Sequence, residues 1–369
     1  MIAPQQCPSP RALTGAPNRL NRTGSILLAV LALITLMSFV ILAFMEEATA
    51  KIKYYGLFYN RDDLRAEAYS YMETALAVID EIHEIDSALY APIQGWQNPL
   101  QYSQIEIPKD LKVRIRVVDE ASKLSLYDAT PEVLIALFTE MGISFDDVQV
   151  LTDSILDWID TDDLTRLNGA EREYYENQET DYLPANGKFQ SWEELRLMRG
   201  FDEIFFDEDR RPTPYFSRMT SALSIYHNTP VNLNSANGFV LGVVARVEGY
   251  PTDMMNEYLN GVDGERGTED DRLINSTAHS YYPNLSRNRS NLTGIQTDIL
   301  KVEVSVSHGE ANFLLTAIVK WVGSNPGANA ASGSSRQTSR RGQTAAPEDP
   351  ATKLGYPFEI VRITENFKI

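Results

Sequence analysis

The first strong pattern along the chain is an unbroken apolar run from Ser25 to Met45, with no charge inside it, Arg19 and Arg22 before it, and Glu46 and Glu47 after it. At about 1.5 Å per residue, an α-helix of this length crosses a hydrocarbon layer of about 30 Å, so 25–45 is predicted to be a transmembrane helix. The pattern then turns one-sided. From Ile52 to Ile85, Leu57, Leu64, Ala68, Met72, Ala75, Leu76 and Ile79 recur at helical spacing, with Arg61, Asp62, Arg65, Glu67 and Glu73 on the other side. This predicts an amphipathic helix over 46–90. A stem helix and a juxtamembrane helix packed on a soluble domain both give this pattern.

Further on, 91–108 is rich in Pro, Gly, Gln and Asn and reads as an irregular crossing, and Val113–Val117 alternates apolar and charged residues as a half-buried strand does. Thr130-Pro131-Glu132 starts a helix that Gly142 ends, and Ser144-x-x-Asp147 opens the next in capping-box style. Along that second helix Leu151, Ile155 and Ile159 make a core stripe, and Asp153, Asp157 and Asp160 stack on another face. Ser191-Trp192-Glu193-Glu194 is a second box, closed by Gly200. Short helices ended by Gly predict helix-hairpin-helix packing. Beyond them Thr220–Tyr226 is strand-like, Asn234-Ser235 begins a helix through Val247, and strands are predicted at 300–306, 313–322 and 358–363. Gly323–Lys353, almost without large apolar residues, is predicted to be a disordered linker.

Charge and composition narrow the function. The formal net charge of −18 argues against nucleic acid and anionic lipid surfaces as partners. The basic residues ahead of the apolar run place the N-terminus in the cytoplasm and the bulk across the membrane. The single cysteine, Cys7, lies ahead of the helix, so the remainder has neither disulfide nor thiol chemistry. His83, His227, His279 and His308 are scattered without metal-ligand spacing, and no nucleophile elbow or phosphate-binding Gly loop is present, so no enzyme is expected. The strongest chemical signal is Asp157-Trp158-Ile159-Asp160-Thr161-Asp162-Asp163, with Glu171 following. Carboxylates this close repel one another unless they are solvated or share a cation, and hard oxygen ligands suit calcium. Asp160, Asp162, Asp163 and Glu171 are candidate ligands, and the acidic loop with Asp263 and Glu265 supplies a second candidate set. A solvated acidic helix end and an exposed acidic loop account for the same residues. A membrane-tethered hydrolase using Asp157 and Asp160 is a remote alternative, because side chains so close on one face suit a shared cation better than a substrate bond.

Two resemblances add to this. The short basic leader ending in Gly24 directly before the apolar run resembles the type IV prepilin class of signals, cut between Gly24 and Ser25. In addition, Asp119-Glu120-x-x-Lys123-Leu124, Asp157-Trp158-Ile159-Asp160-x-Asp162-Asp163, Gly169-Ala170-Glu171 with Tyr174-Tyr175, Ala185-Asn186, Glu194-Leu195 and Val231-Asn232-x-Asn234-x-Ala236 resemble, in this order, the general secretion pathway protein K family, the large minor pseudopilins of type II secretion. The resemblance implies an α+β protein in which a long N-terminal transmembrane and stem helix carries a pilin-like antiparallel sheet with an inserted all-α, SAM-like domain. The divisions are then 1–24 leader, 25–45 transmembrane helix, 46–90 stem, 91–127 start of the pilin-like domain, 128–215 helical insert, 216–322 completion of the pilin-like domain, 323–353 linker and 354–369 C-terminal strand. The helix near 235–248 is assignable to either domain. The resemblance also implies bound calcium, processing by a prepilin peptidase, residence in the inner membrane with the bulk in the periplasm, and assembly with the major pseudopilin and the I- and J-type minor pseudopilins at the pseudopilus tip. Counted from Ser25, the fifth mature residue is Ala29, where most pilins carry a Glu that pairs with a neighbour's N-terminal amine. Lacking that carboxylate suits a subunit with none above it. Ser25, in place of an aromatic or Met, departs from the leader pattern. A minor pilin of a type IV pilus is the rival among assembly proteins.

Overall fold

The apolar run is helical. In the computed structural model, which describes residues 22–178, 182–227, 230–249, 253–280, 292–309, 311–323 and 357–366, helix α1 spans Arg22–Asp86. The chain divides into two units, residues 1–60 and 61–369.

In the first unit, Ile26–Lys51 is the one helical stretch among the described residues long and apolar enough to cross a membrane, and it extends past the predicted Met45. Its large side chains, from Ile26 through Met45, are exposed. The hydroxyls of Thr35, Ser38 and Thr49 donate to carbonyls three or four residues earlier, so they carry their own partners into an apolar surrounding. Of the expected leader, 1–21 lies outside the described residues, and Gly24 and Ser25 fall in the first turn of α1.

In the second unit, the later turns of α1 bury one face. Leu64, Ala68, Met72, Ala75, Leu76, Ile79 and Ile82 are buried against Val302, Val304, Val306, Phe313, Leu315 and Val319. Each Leu or Ile so covered contributes about 2 kcal/mol. The opposite side is polar as expected; the side chains of Leu57 and Arg61 lie outside the description. The partner of this face is a four-stranded antiparallel sheet of β1 (Lys112–Asp119), β6 (Ile299–His308), β7 (Ala311–Trp321) and β8 (Phe358–Glu365), in the order β1-β6-β7-β8. Polar contacts fix its register on the helix. Arg65 Nη2 lies 2.7 Å from Glu365 Oε1, the Tyr69 hydroxyl donates to the same oxygen, and the Trp321 indole donates to Asp80 while its ring stacks on His83. The predicted linker 323–353 lies outside the described residues apart from Gly323.

Because β1 pairs with β6, with Asp119 opposite Leu300, everything between residues 120 and 298 leaves and re-enters at one end of the sheet. That stretch contains β2 (Leu124–Ser125), α3 (Pro131–Glu140), α4 (Phe145–Ile159), α5 (Arg172–Glu176), α6 (Asp202–Phe205), α7 (Pro214–Ala222), β3 (Leu223–Ser224), β4 (Val231–Asn232), α8 (Gly238–Glu248), α9 (Asp253–Leu259) and β5 (Thr293–Gly294). Its buried side chains, from Leu124 to Ile295, form a core of their own. Within the expected 216–322 division, the buried apolar side chains from Met219 to Ile295 lie in that core, those from Leu300 onward lie in the core of the sheet, and Tyr226 packs beside Ile299 and Ile318.

Local signals explain most helix starts. Pro131 opens α3, Ser144 accepts from the Asp147 amide to open α4, and Ser191 with Glu194 forms the second box, although the helix it starts, Trp192–Leu197, is a 3-10 helix. Two expectations change. Thr220–Ala222 completes α7, leaving only Leu223–Ser224 as strand, paired in parallel with β2. The following helix starts at Gly238, capped by Asn237, and not at Asn234, whose buried side chain bonds the backbone of Ile274 and Ile295.

Asn232 and Asn234 thus share a buried polar seam with Asp119 and Glu120. Asn232 Nδ2 donates to Asp119 Oδ2 at 2.7 Å and to the Tyr90 carbonyl at 2.8 Å. Glu120 accepts from Ser224 Oγ at 2.7 Å and from Lys123 Nζ at 2.8 Å. Burial raises the Asp119 carboxyl from 3.8 to about 6, against the bonds it accepts from Thr297, Asn232 and Ser235. A pKa raised in the folded chain contributes stability that is full below about pH 4 and is lost as pH rises through about 6. Asp119→Asn is therefore expected to flatten the pH dependence of the melting temperature between pH 4 and 6; an unchanged slope would show that another group carries it.

Candidate metal centre

Helix α4 is buried on most sides, and its last turn carries acid into the interior. Asp157 is fully buried next to Trp158, whose ring packs edge-on against the buried Tyr175. The sequence pattern placed Asp153, Asp157 and Asp160 on a face apart from the core stripe; the loop that follows folds back and covers that face. Asn168 donates through its backbone and side chain to Asp153 Oδ2 at 3.0 and 3.1 Å. Gly169 abuts Asp157 so closely that a Cβ there would lie 2.0 Å from Asp157 Oδ2, and its carbonyl accepts from Arg199 Nη1 at 2.8 Å. A side chain at 169 would force the carboxylate out of place.

This fold-back brings one ligand oxygen each from Asp157, Asp160 and Glu171 within 4.8 Å of one another. Glu171 is 2 % exposed, and among the described residues neither of its carboxylate oxygens has a hydrogen-bond partner, nor does Asp160 Oδ1. Arg166 compensates the other two acids: its Nη1 lies 2.5 Å from Asp157 Oδ1 and 2.6 Å from Asp160 Oδ2, and its backbone N–H also donates to Asp157. Burial pushes Asp157 above the ordinary carboxylate value, against the bonds from Arg166. Burial opposes the charge on Arg166, yet its bonds to Asp160 and Asp157 hold the guanidinium above its usual value. Burial, and then the charges of Asp157, Asp160, Asp163 and Asp162, push Glu171 up to about 7. Leaving carboxylates so placed without a positive charge is costly, so an all-oxygen cluster with an unserved buried member fits a hard cation.

Of the residues singled out from sequence, Asp160 and Glu171 meet here and Asp162 and Asp163 do not. Asp162 accepts from the Leu164 amide, closing the loop's own turn, and Asp163 lies 3.7 Å from Arg172 and accepts from Asn186. Asp263 and Glu265 do not converge on a third acid among the described residues. Asp263 accepts from the Glu265 amide, and Asp270, from the same loop, accepts from Val262 and Asp263. The carboxylates of Asp263 and Asp270 thus accept from amides of their own loop. Asp157 is not in the sequence-derived ligand set, although the reading of a cation shared on that helix face placed it beside Asp160. A sequence signal able to point to it is Arg166, a lone cation in a run of acids, with a glycine three residues on.

A family model described as Type II secretion system (T2SS), protein K matches residues 117–210, a span that holds Asp119, Glu120, Asp157, Asp160, Arg166 and Glu171. The chain is 29% identical over 139 residues to the type II secretion system protein K of Pectobacterium carotovorum subsp. carotovorum, covering 37% of this chain and 42% of that protein. It is 42% identical over 65 residues to the protein K of Klebsiella pneumoniae, covering 18% of this chain and 19% of that one. A putative type II secretion system protein K of Escherichia coli (strain K12) is 29% identical over 147 residues, 37% of this chain and 44% of that protein. The matches thus span less than half the length of these relatives. A chain of the crystal structure of the GspK-GspI-GspJ complex from the enterotoxigenic Escherichia coli type 2 secretion system shares the fold, with a TM-score of 0.54, 10% identity, and coverage of 87% of this chain and 100% of that one. The resemblance to the protein K family read from the motifs is therefore found again in the family model and in the named relatives.

Proposed function

We propose that this chain, with its protein K match over residues 117–210, is a minor pseudopilin of a type II protein secretion system. In this proposal it is anchored in the inner membrane with its bulk in the periplasm, and it stands at the pseudopilus tip with I- and J-type partners to help export folded proteins. The observation that carries the reading is the coincidence of that match with an N-terminal helix whose apolar side chains are exposed over Ile26–Met45. Such a surface is stable in lipid or against similar helices, which are the two surroundings a membrane-anchored, assembling subunit needs. The fold shared with a chain of a GspK-GspI-GspJ complex supports the choice of partners. The helical stretch 120–298 is, in this proposal, the inserted domain, with helix-hairpin-helix character in its short Gly-ended helices. The motif residues Asp119, Glu120, Asn232 and Asn234 serve the joint between it and the sheet and take no part in chemistry.

Calcium is proposed as the resident ion, held by Asp157, Asp160 and Glu171. When bound it supplies positive charge to the buried carboxylates and ties the end of α4 to the segment that enters α5. Maturation by a prepilin peptidase between Gly24 and Ser25, and contact with the major pseudopilin, complete the proposal.

Co-expressed in detergent-soluble form with I- and J-type pseudopilins of the same system, the chain is expected to co-purify with both; recovery of the three as separate species would reject the tip assignment. The purified protein should melt several degrees higher in calcium than in chelator, as expected for an ion that binds only the folded state. Glu171→Gln should shrink that difference, and equal melting of the wild type in both conditions would remove the ion without touching the pseudopilin reading. Gly24→Ala should accumulate as uncut precursor on a denaturing gel, and a product of normal mature size would count against the leader.

A further inference from the structure

We propose that Arg166 is a built-in rival for the cation at Asp157, Asp160 and Glu171, so that ejection of its guanidinium sets how tightly this centre binds calcium. The inference rests on the calcium reading above. A single nitrogen, Arg166 Nη1, lies 2.5 Å from an oxygen of Asp157 and 2.6 Å from one of Asp160. Calcium bonded to the same two oxygens, at its usual distance of about 2.3–2.6 Å, would need the space that this nitrogen fills. The two cations therefore exclude one another.

They do not serve the cluster equally. Arg166 reaches two of the three carboxylates and leaves the buried Glu171 oxygens without a hydrogen-bond partner among the described residues. One guanidinium charge faces three acids, whereas a divalent ion can engage all three at once. The exchange also has a route. The Arg166 side chain is 37% exposed while that of Asp157 is 0% exposed, so the guanidinium can turn into solvent and the carboxylate cannot follow it. The backbone N–H of Arg166 donates to Asp157 as well, at 3.2 Å from Oδ2, and that bond can persist after the side chain leaves. In the absence of the ion Arg166 keeps the centre folded, and in its presence the same residue weakens binding, since two charge-assisted hydrogen bonds must break first.

The test is calorimetric titration of calcium into the metal-stripped full-length protein in detergent, for wild type, Arg166→Gln and Arg166→Lys, with melting curves in chelator and in saturating calcium. Arg166→Gln is expected to bind calcium about tenfold tighter or more, to melt below wild type in chelator, and to recover or pass it in calcium. Arg166→Lys, which keeps the charge without the guanidinium fork, is expected to show a smaller gain, and it reads the same competition if the Gln variant does not fold. Loss of packing alone would lower melting in both conditions and leave affinity unimproved. If wild type binds and both variants bind equally or more weakly, Arg166 is no rival and the calcium reading stands. Binding by the Gln variant but not by wild type supports the rivalry and confines the ion to the variant. No binding by any of the three overturns the calcium reading and this inference with it.

Discussion

The pairing of β1 with β6 is the constraint on which the second unit depends. These strands are neighbours in the sheet yet lie some 180 residues apart in the chain, since β1 ends at Asp119 and β6 begins at Ile299. Closing so long an excursion has an entropic cost that grows only slowly with length, but it must be met by contacts at the point of closure. The polar seam supplies them. Asn232 ties Asp119 to the Tyr90 carbonyl, Thr297 donates its backbone N–H to Leu89, and Asn234 binds the backbone at Ile274 and Ile295. The departing and returning segments are thus held to the chain just past α1 and to each other by bonds made by buried residues.

Buried carboxylates recur here, and each is compensated differently. Asp119 accepts from the Asn232 amide, Glu120 pairs with Lys123 and Ser224, Asp157 and Asp160 share Arg166, and Glu171 is left over. In the first two each carboxylate is served within the chain on at least one oxygen, Asp119 through Oδ2 only, whereas Glu171 is served on neither among the described residues. The last is incomplete, and that asymmetry separates a candidate ion centre from the many acids on a chain of net charge −18. Acid content alone points equally to the loop at Asp263 and Glu265, where the Asp263 and Asp270 carboxylates accept from amides of their own loop.

The same comparison shows which readings a sequence supports. Period and caps are local, so the apolar helix, the one-sided face from Leu64 to Ile79, the Pro131 and Ser144 helix starts and the strands β1, β6, β7 and β8 are legible in the sequence alone. The start of α8 was misplaced because Asn234 looks like a cap but spends its side chain on a segment forty residues away. The alternation over Thr220–Tyr226 was overruled by α7 packing, since short alternating runs fit a helix end as well as a strand.

By itself, then, the sequence determined which strongly periodic stretches are helix or strand, which stretch is greasy enough for a bilayer, and which family the motifs resemble, because spacing and side-chain type act over a few residues. Only the tertiary structure decided which acids are buried together. Asp157 meets Glu171 because a loop folds back and Gly169 leaves room, and Arg166 arrives with it. Distances between side chains on different elements are set by packing, which no local pattern encodes.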